Sequence, residues 1–174
     1  MTHYGQRVGS ESSFRKLSDL LQCDVATIER YIRLLEQAFI IFRLPSYHRN
    51  LRTELKRNKK IFFFDNGIRN AIIGDFRALG LRTDVGALWE NFLVSERYKY
   101  NAYRRFYGRS YFWRTTAQQE LDYLEEVDGQ LHAFEFKWNS GKKARPSRAF
   151  TRAYPDATFQ VIHPDNYQSF LRTE

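Results

Sequence analysis

Nineteen consecutive residues decide how this chain is read: Glu120-Leu121-Asp122-Tyr123-Leu124-Glu125-Glu126-Val127-Asp128-Gly129-Gln130-Leu131-His132-Ala133-Phe134-Glu135-Phe136-Lys137-Trp138. Asp-Gly between two β-prone runs is a strong signal for a two-residue hairpin loop. With Val127 facing Gln130, directly opposed residues have numbers that sum to 257. Asp122 then lies across from Glu135, and Glu120 across from Lys137. Side chains alternate along a strand, so these four share one face while Leu121, Tyr123, Phe134 and Phe136 take the other. Two carboxylates on adjacent strands, with Cβ atoms about 4.5–5.5 Å apart, repel each other. A divalent cation such as Mg²⁺ or Mn²⁺ resolves that repulsion, because it takes hard oxygen ligands from one or two carboxylates and leaves room for waters and a phosphate. Lys137, on the same side, is placed to orient an attacking water or to balance phosphate charge. The competing reading is a half-exposed sheet face that is simply polar.

Around the hairpin, Thr83-Asp84 precedes an amphipathic helix to about Tyr103 that carries Leu88, Trp89, Phe92, Leu93, Val94 and Tyr98. Ser110 to Thr115 reads as a strand, Lys143 to Tyr154 as a helix despite Pro146, and Ala157 to His163 as a final strand. The order αβββαβ describes an α/β domain with a mixed sheet.

Upstream, Phe14, Leu17, Leu20 and Leu21 recur at helical spacing. A second helical run from Val25 to Phe39 opens after Asp24, a good N-cap, with Ile28, Tyr31, Ile32, Leu35 and Phe39 on one face. The link Gln22-Cys23-Asp24 fits a helix-turn-helix, with Cys23 as a packing residue. Ile40 to Leu44 and Ile61 to Phe64 are β-rich, Pro45 ends the first, and Arg49 to Lys60 between them is dense in positive charge. Helix, turn, helix and basic hairpin together describe a winged helix. In that arrangement Arg30 and Arg33 on the second helix can enter the major groove of DNA, while Arg52, Lys56, Arg57, Lys59 and Lys60 contact phosphates. Docking on protein is the alternative use of such a module. Asp65-Asn66-Gly67 caps a short apolar stretch, and Gly74 to Arg82 reads as a linker. The expected organisation is a winged helix-turn-helix domain over residues 1–75, a linker over 76–83 and the second domain over 84–174, an α+β chain overall.

Composition agrees with a folded, nucleic-acid-associated protein. The 174 residues are 43% hydrophobic and 17% aromatic, enough for a buried core. Net charge is +8, of which +7 belongs to residues 1–83 and +1 to the remainder. A positive field suits a polyanion, with a solvated basic surface or a docking face as the alternative. One cysteine excludes an intramolecular disulfide framework and a cysteine-based zinc site. No window approaches a membrane span and the first residues are not a secretory signal, so the expectation is a cytoplasmic protein without a membrane partner. His3, His48, His132 and His163 have no metal-ligand spacing, and Arg145, Arg148 and Arg152 are candidates for lining a DNA channel.

The order Asp122 … Glu135-Phe136-Lys137, preceded by a helix bearing Trp89-Glu90-Asn91-Phe92-Leu93, resembles the PD-(D/E)XK nuclease superfamily. More closely, nearly the whole chain resembles the C-terminal region of a group of prokaryotic AAA-type ATPases, the family labelled domain of unknown function 4143. The matching stretches are Ser18 to Leu44, Lys60 to Gly67, Gly86 to Glu96, Tyr111 to Thr115 and Glu120 to Tyr123. The resemblance implies a winged helix followed by a restriction-endonuclease-like domain, with DNA and an ATPase domain as partners. It also implies that Glu90 joins Asp122, Glu135 and Lys137, and that the Phe136 carbonyl completes the ligands of Mg²⁺ or Mn²⁺. Glu120-Leu121-Asp122 stands where the superfamily pattern has Pro-Asp, which removes no ligand. The ATPase site itself is not expected in this chain: Gly141-Lys142-Lys143 lacks both the first glycine and the hydroxyl residue of a P-loop.

Overall fold

Both central residues of the Asp128-Gly129 loop have positive φ, 50° and 80°, the twist a two-residue hairpin needs. The flanking strands follow the expected register from Val127 opposite Gln130 to Tyr123 opposite Phe134, and the pairing ends there, short of the expected Asp122–Glu135 and Glu120–Lys137 pairs. The computed structural model describes residues 11–12, 14–48 and 59–172; Arg52, Lys56 and Arg57 of the expected wing lie outside the described residues. The elements are β1 (Glu11–Ser12), α1 (Phe14–Leu21), α2 (Val25–Gln37), β2 (Ile41–Pro45), β3 (Lys59–Phe63), α3 (Asn66–Ile73), α4 (Val85–Tyr103), β4 (Arg109–Arg114), β5 (Glu120–Val127), β6 (Gln130–Phe136), α5 (Arg148–Ala153), β7 (Thr158–Ile162) and α6 (Tyr167–Leu171).

In the second half β4, β5 and β6 are antiparallel neighbours and β7 joins β6 in parallel, a mixed four-stranded sheet in the order β4-β5-β6-β7. The simple two-face division of the hairpin fails at one place. Tyr111 pairs with Leu124 and Trp113 with Leu121, so Asp122 and Tyr123 together face the single residue Phe112. This β-bulge resets the alternation. Leu121 therefore packs with Leu124, Ala133 and Phe150 of α5 on one side of the sheet, whereas Tyr123 packs with Phe136, Leu93 and Phe170 on the other.

Two helices also differ from expectation. The helix foreseen over Lys143 to Tyr154 is confined to α5, because Pro146 disfavours helical backbone just before it and the Ser147 side chain caps the remainder by accepting the Phe150 N–H. α6 follows the last strand and was not foreseen; it seats Phe170 in the main core. Pro45 lies in β2 opposite Lys59 rather than beyond it.

The first half contributes a three-stranded sheet in the order β1-β3-β2. Asp24 caps α2 as expected, accepting the Thr27 N–H at 2.8 Å. Of the apolar face foreseen on α2, only Ile28 and Ile32 are buried, packed with Ile41 and with partly buried Cys23. Asp84, expected to cap α4, makes no cap hydrogen bond; its carboxylate instead receives Arg69 and Arg82, at 2.7 and 2.9 Å. Those pairs fix the stretch expected as a linker, which also holds a 3₁₀ turn at Leu79–Leu81. The two halves share their largest core: Phe42, Leu44 and Phe62 of β2 and β3 pack in one cluster with Trp89, Leu93, Phe112, Tyr123 and Phe136.

Candidate active site

The order Trp89-Glu90-Asn91 on α4 assigns three neighbouring side chains three tasks. Trp89 enters the core and stacks edge-on against Trp138 with ring centroids 5.5 Å apart. Asn91, fully buried, accepts the Phe63 N–H at 2.8 Å and donates to the Phe63 carbonyl and to Asn66 at 3.0 Å, which fastens the helix to the end of β3. Glu90 accepts a hydrogen bond from Lys60 Nζ at 2.8 Å. Lys60 also forms an ion pair with Glu120 and lies 5.4 Å from the Phe112 ring centroid.

Asp122 sits in the bulge, and its Oδ2 accepts the Phe136 N–H at 2.7 Å. The carboxylate thus bridges β5 to β6 just beyond the Tyr123–Phe134 pair. Two residues along β6 and its extension, Lys137 Nζ donates to Glu135 Oε1 at 2.6 Å, while the Lys137 N–H continues the ladder to the Ile162 carbonyl at 2.9 Å.

These charges act on one another. Burial pushes the Asp122 carboxyl up to about 8, and the nearby negative charges of Glu90 and Glu135 push in the same direction; Lys60 and the Phe136 N–H oppose them only in part. Glu90 is also raised, by burial first, with Lys60 working against it. Burial disfavours the charged form of Lys60, yet Glu90, Glu120 and Asp122 together outweigh it and hold the ammonium charged. Lys137 behaves likewise, with burial opposed by the Glu135 hydrogen bond and by the charges of Glu135, Asp122 and Glu90.

Of the residues expected at the site, Glu90, Asp122, Glu135 and Lys137 therefore lie within mutual electrostatic reach. Glu90 is engaged by Lys60. No group of three or more His, Cys, Asp and Glu side chains among the described residues forms a metal cage. A chelating set of three or more such side chains is thus not built among the described residues; the hard oxygen donors at hand are Asp122 and Glu135, the ligand type that Mg²⁺ takes one or two at a time. Arg30 and Arg33 are exposed on α2, and Arg145, Arg148 and Arg152 are exposed at and before α5. Lys59 is half-buried. Lys60, expected among the phosphate-contacting residues of the wing, is instead 1% exposed and turned into the acidic cluster. The signal for this was its spacing: Lys60 and Phe62 are two apart and share the inward face of β3.

Residues 85–171, half of the chain, match the family described as domain of unknown function 4143 (DUF4143). The chain belongs to the DUF4143 family. Residues 1–81 match a different family, domain of unknown function 8612 (DUF8612), so the resemblance foreseen over nearly the whole chain is confined to the DUF4143 half. The chain is similar to two uncharacterized mycobacterial proteins, Rv2008c of Mycobacterium tuberculosis and Mb2031c of Mycobacterium bovis, at 27% identity over 97% of its own length. It spans 37% of the length of each. No solved structure matches it. Glu90, Glu120, Asp122, Glu135 and Lys137 all belong to the DUF4143 half, whereas Lys60 comes from the DUF8612 half.

Proposed function

We propose that the chain is DNA-associated and that its DUF4143 half is a divalent-metal-dependent phosphodiesterase of the PD-(D/E)XK kind. The observation that carries this reading is the meeting of a partly buried Asp122, whose carboxyl is held in its protonated range, with the strand end Glu135-Phe136-Lys137. Asp122 forms no ion pair with any of the described residues, and a hard cation would supply the positive partner. In this reading Asp122 and Glu135 hold Mg²⁺ or Mn²⁺ together with the Phe136 carbonyl, and Glu90 contributes through water because Lys60 already engages it. The bound ion supplies positive charge to the phosphodiester oxygens. Lys137, with its ammonium fixed on Glu135, holds the attacking water and faces the charge that develops on phosphate. Arg30, Arg33, Arg148 and Arg152, all exposed, offer contacts to the DNA backbone. The curated relatives are longer than the region they share with this chain, and we assign part of that extra length to an AAA-type ATPase segment working with it.

The test is cleavage of supercoiled, branched and single-stranded DNA with Mg²⁺ or Mn²⁺ by the wild type, Asp122→Ala and Lys137→Ala. The expected loss in each variant is at least about 100-fold, the scale of removing a charged group from a transition state. Equal residual cleavage in all three proteins assigns the activity to a contaminant and defeats the catalytic claim.

A second reading applies to the first half. Leu20, Leu21, Tyr31, Leu34 and Phe39 are exposed on and beside α1 and α2, an apolar surface that favours docking on protein over reading of bases. Arg30→Ala with Arg33→Ala separates the two: DNA contact by α2 predicts weaker binding and a shallower salt dependence, and an unchanged DNA affinity assigns the helix to protein docking.

A further inference from the structure

Among the described residues, Lys60 is the one charged group that the DUF8612 half inserts into the carboxylate cluster of the DUF4143 half. β3 places it there by alternation, on the same inward face as Phe62. Its ammonium lies over the Phe112 ring at 5.4 Å from the centroid and meets Glu90 at 2.8 Å and Glu120 in a second ion pair. Arg114 approaches Glu120 from the other side at 3.4 Å. A buried ammonium is tolerated only where acids surround it, and here it neutralises Glu90, which has no other ion-pair partner among the described residues, and shares Glu120 with Arg114. Four carboxylates thus divide into two sets. Glu90 and Glu120 are drawn to Lys60; Asp122, which has no ion-pair partner among the described residues, and Glu135, held by Lys137, remain as the ligand pair of the metal reading.

We infer that Lys60 is a fixed cation standing in the place of a second metal ion, so that the site takes a single divalent ion and is complete only with the hairpin of the first half. The inference rests on the metal-site reading above. It makes Lys60 a positioning residue, acting on Glu90 and Glu120 rather than on substrate.

The number of ions is the direct readout. Mn²⁺ titration followed by the loss of free-ion electron paramagnetic resonance signal, at pH 8, should give one ion per chain for the wild type and for Lys60→Arg. Lys60→Met keeps the stem and removes the charge, freeing Glu90 and leaving Glu120 to Arg114 alone, and should give two. The double variant K60M/E90Q removes both charges of the 2.8 Å pair and should return to one. Lys60→Met leaves the partly buried Glu90 without its ion-pair partner, so thermal unfolding accompanies the count, and Mn²⁺ should raise the Tm of K60M by more than it raises that of the wild type. One ion in both the wild type and K60M, or a Tm of K60M no more responsive to Mn²⁺ than the wild type's, overturns the role of Lys60 and leaves the metal reading standing. No ion bound by the wild type overturns both.

Discussion

Asp122 sets the pH behaviour of the metal-free protein. Its native carboxyl keeps a proton up to about pH 8, whereas an unfolded chain releases it near pH 4. Between those values the native state binds the additional proton, so stability falls as pH rises. Denaturant unfolding from pH 4 to 8 should show that decline in the wild type. Asp122→Asn should flatten it and exceed the wild type at pH 8 by about 2 kcal/mol, an order-of-magnitude figure for a buried charge relieved. Mg²⁺ should restore the wild type and leave D122N unmoved. A flat wild-type profile contradicts the assignment. Asn91 makes a separate residue-scale prediction: Asn91→Ala strands the N–H and carbonyl of Phe63, and should cost about 2–4 kcal/mol in the same measurement.

The register from Val127–Gln130 to Tyr123–Phe134 was legible from the turn alone, because register depends on the local turn; the opposition of Asp122 to Glu135 was not, because the bulge interrupts the ladder there. Nor was Lys60. A lysine beside a basic run reads as solvated wing, and its inward direction depends on where β3 begins, one residue pair earlier than the apolar run suggests. Asn91 was quoted only as part of a matching stretch, since a buried amide declares itself through the backbone it satisfies.

At the scale of elements, the hairpin is fixed by its two-residue loop and the site by a bulge beside it. Gly129 holds φ at 80°, a region that costs an L-residue about 1–2 kcal/mol. Gly129→Ala should lower stability by about 1 kcal/mol in denaturant titration, and an unchanged midpoint contradicts the turn. The bulge was not legible in β5 or β6, because it exists only against the third strand: Phe112 of β4 takes two partners. It is also what lifts Asp122 out of the regular ladder and frees its carboxylate to reach the Phe136 N–H. α6 escaped notice for a related reason. Five residues carry little periodicity, and the helix is held by Phe170 in the core and by the Phe170 carbonyl, which accepts from Arg97 at 2.6 Å.

For the whole molecule, the shared core matters more than the division of the sequence into families. Phe42 and Phe62 of the first half complete the cluster that covers one side of the second-half sheet. Residues 84–174 expressed alone should therefore lose near-ultraviolet ellipticity and cooperative unfolding; a sharp transition with native spectra would show that the second half folds independently. The charge arithmetic changes as well. Within the basic first half, Lys60, Arg69 and Arg82 are buried in ion pairs, and Arg43 is held by Glu36 at 2.6 Å. The positive surface offered to a partner is correspondingly smaller than +7. No helix among the described residues is long and apolar enough to cross a membrane.

The central claim, one divalent ion at Asp122 and Glu135, is tested most directly by anomalous diffraction at the manganese edge from crystals of the full chain soaked in Mn²⁺. The account predicts a single peak between the Asp122 and Glu135 carboxylates, with Lys60 still paired to Glu90 and Glu120. A peak elsewhere, or none at a concentration that loads other magnesium sites, would contradict it.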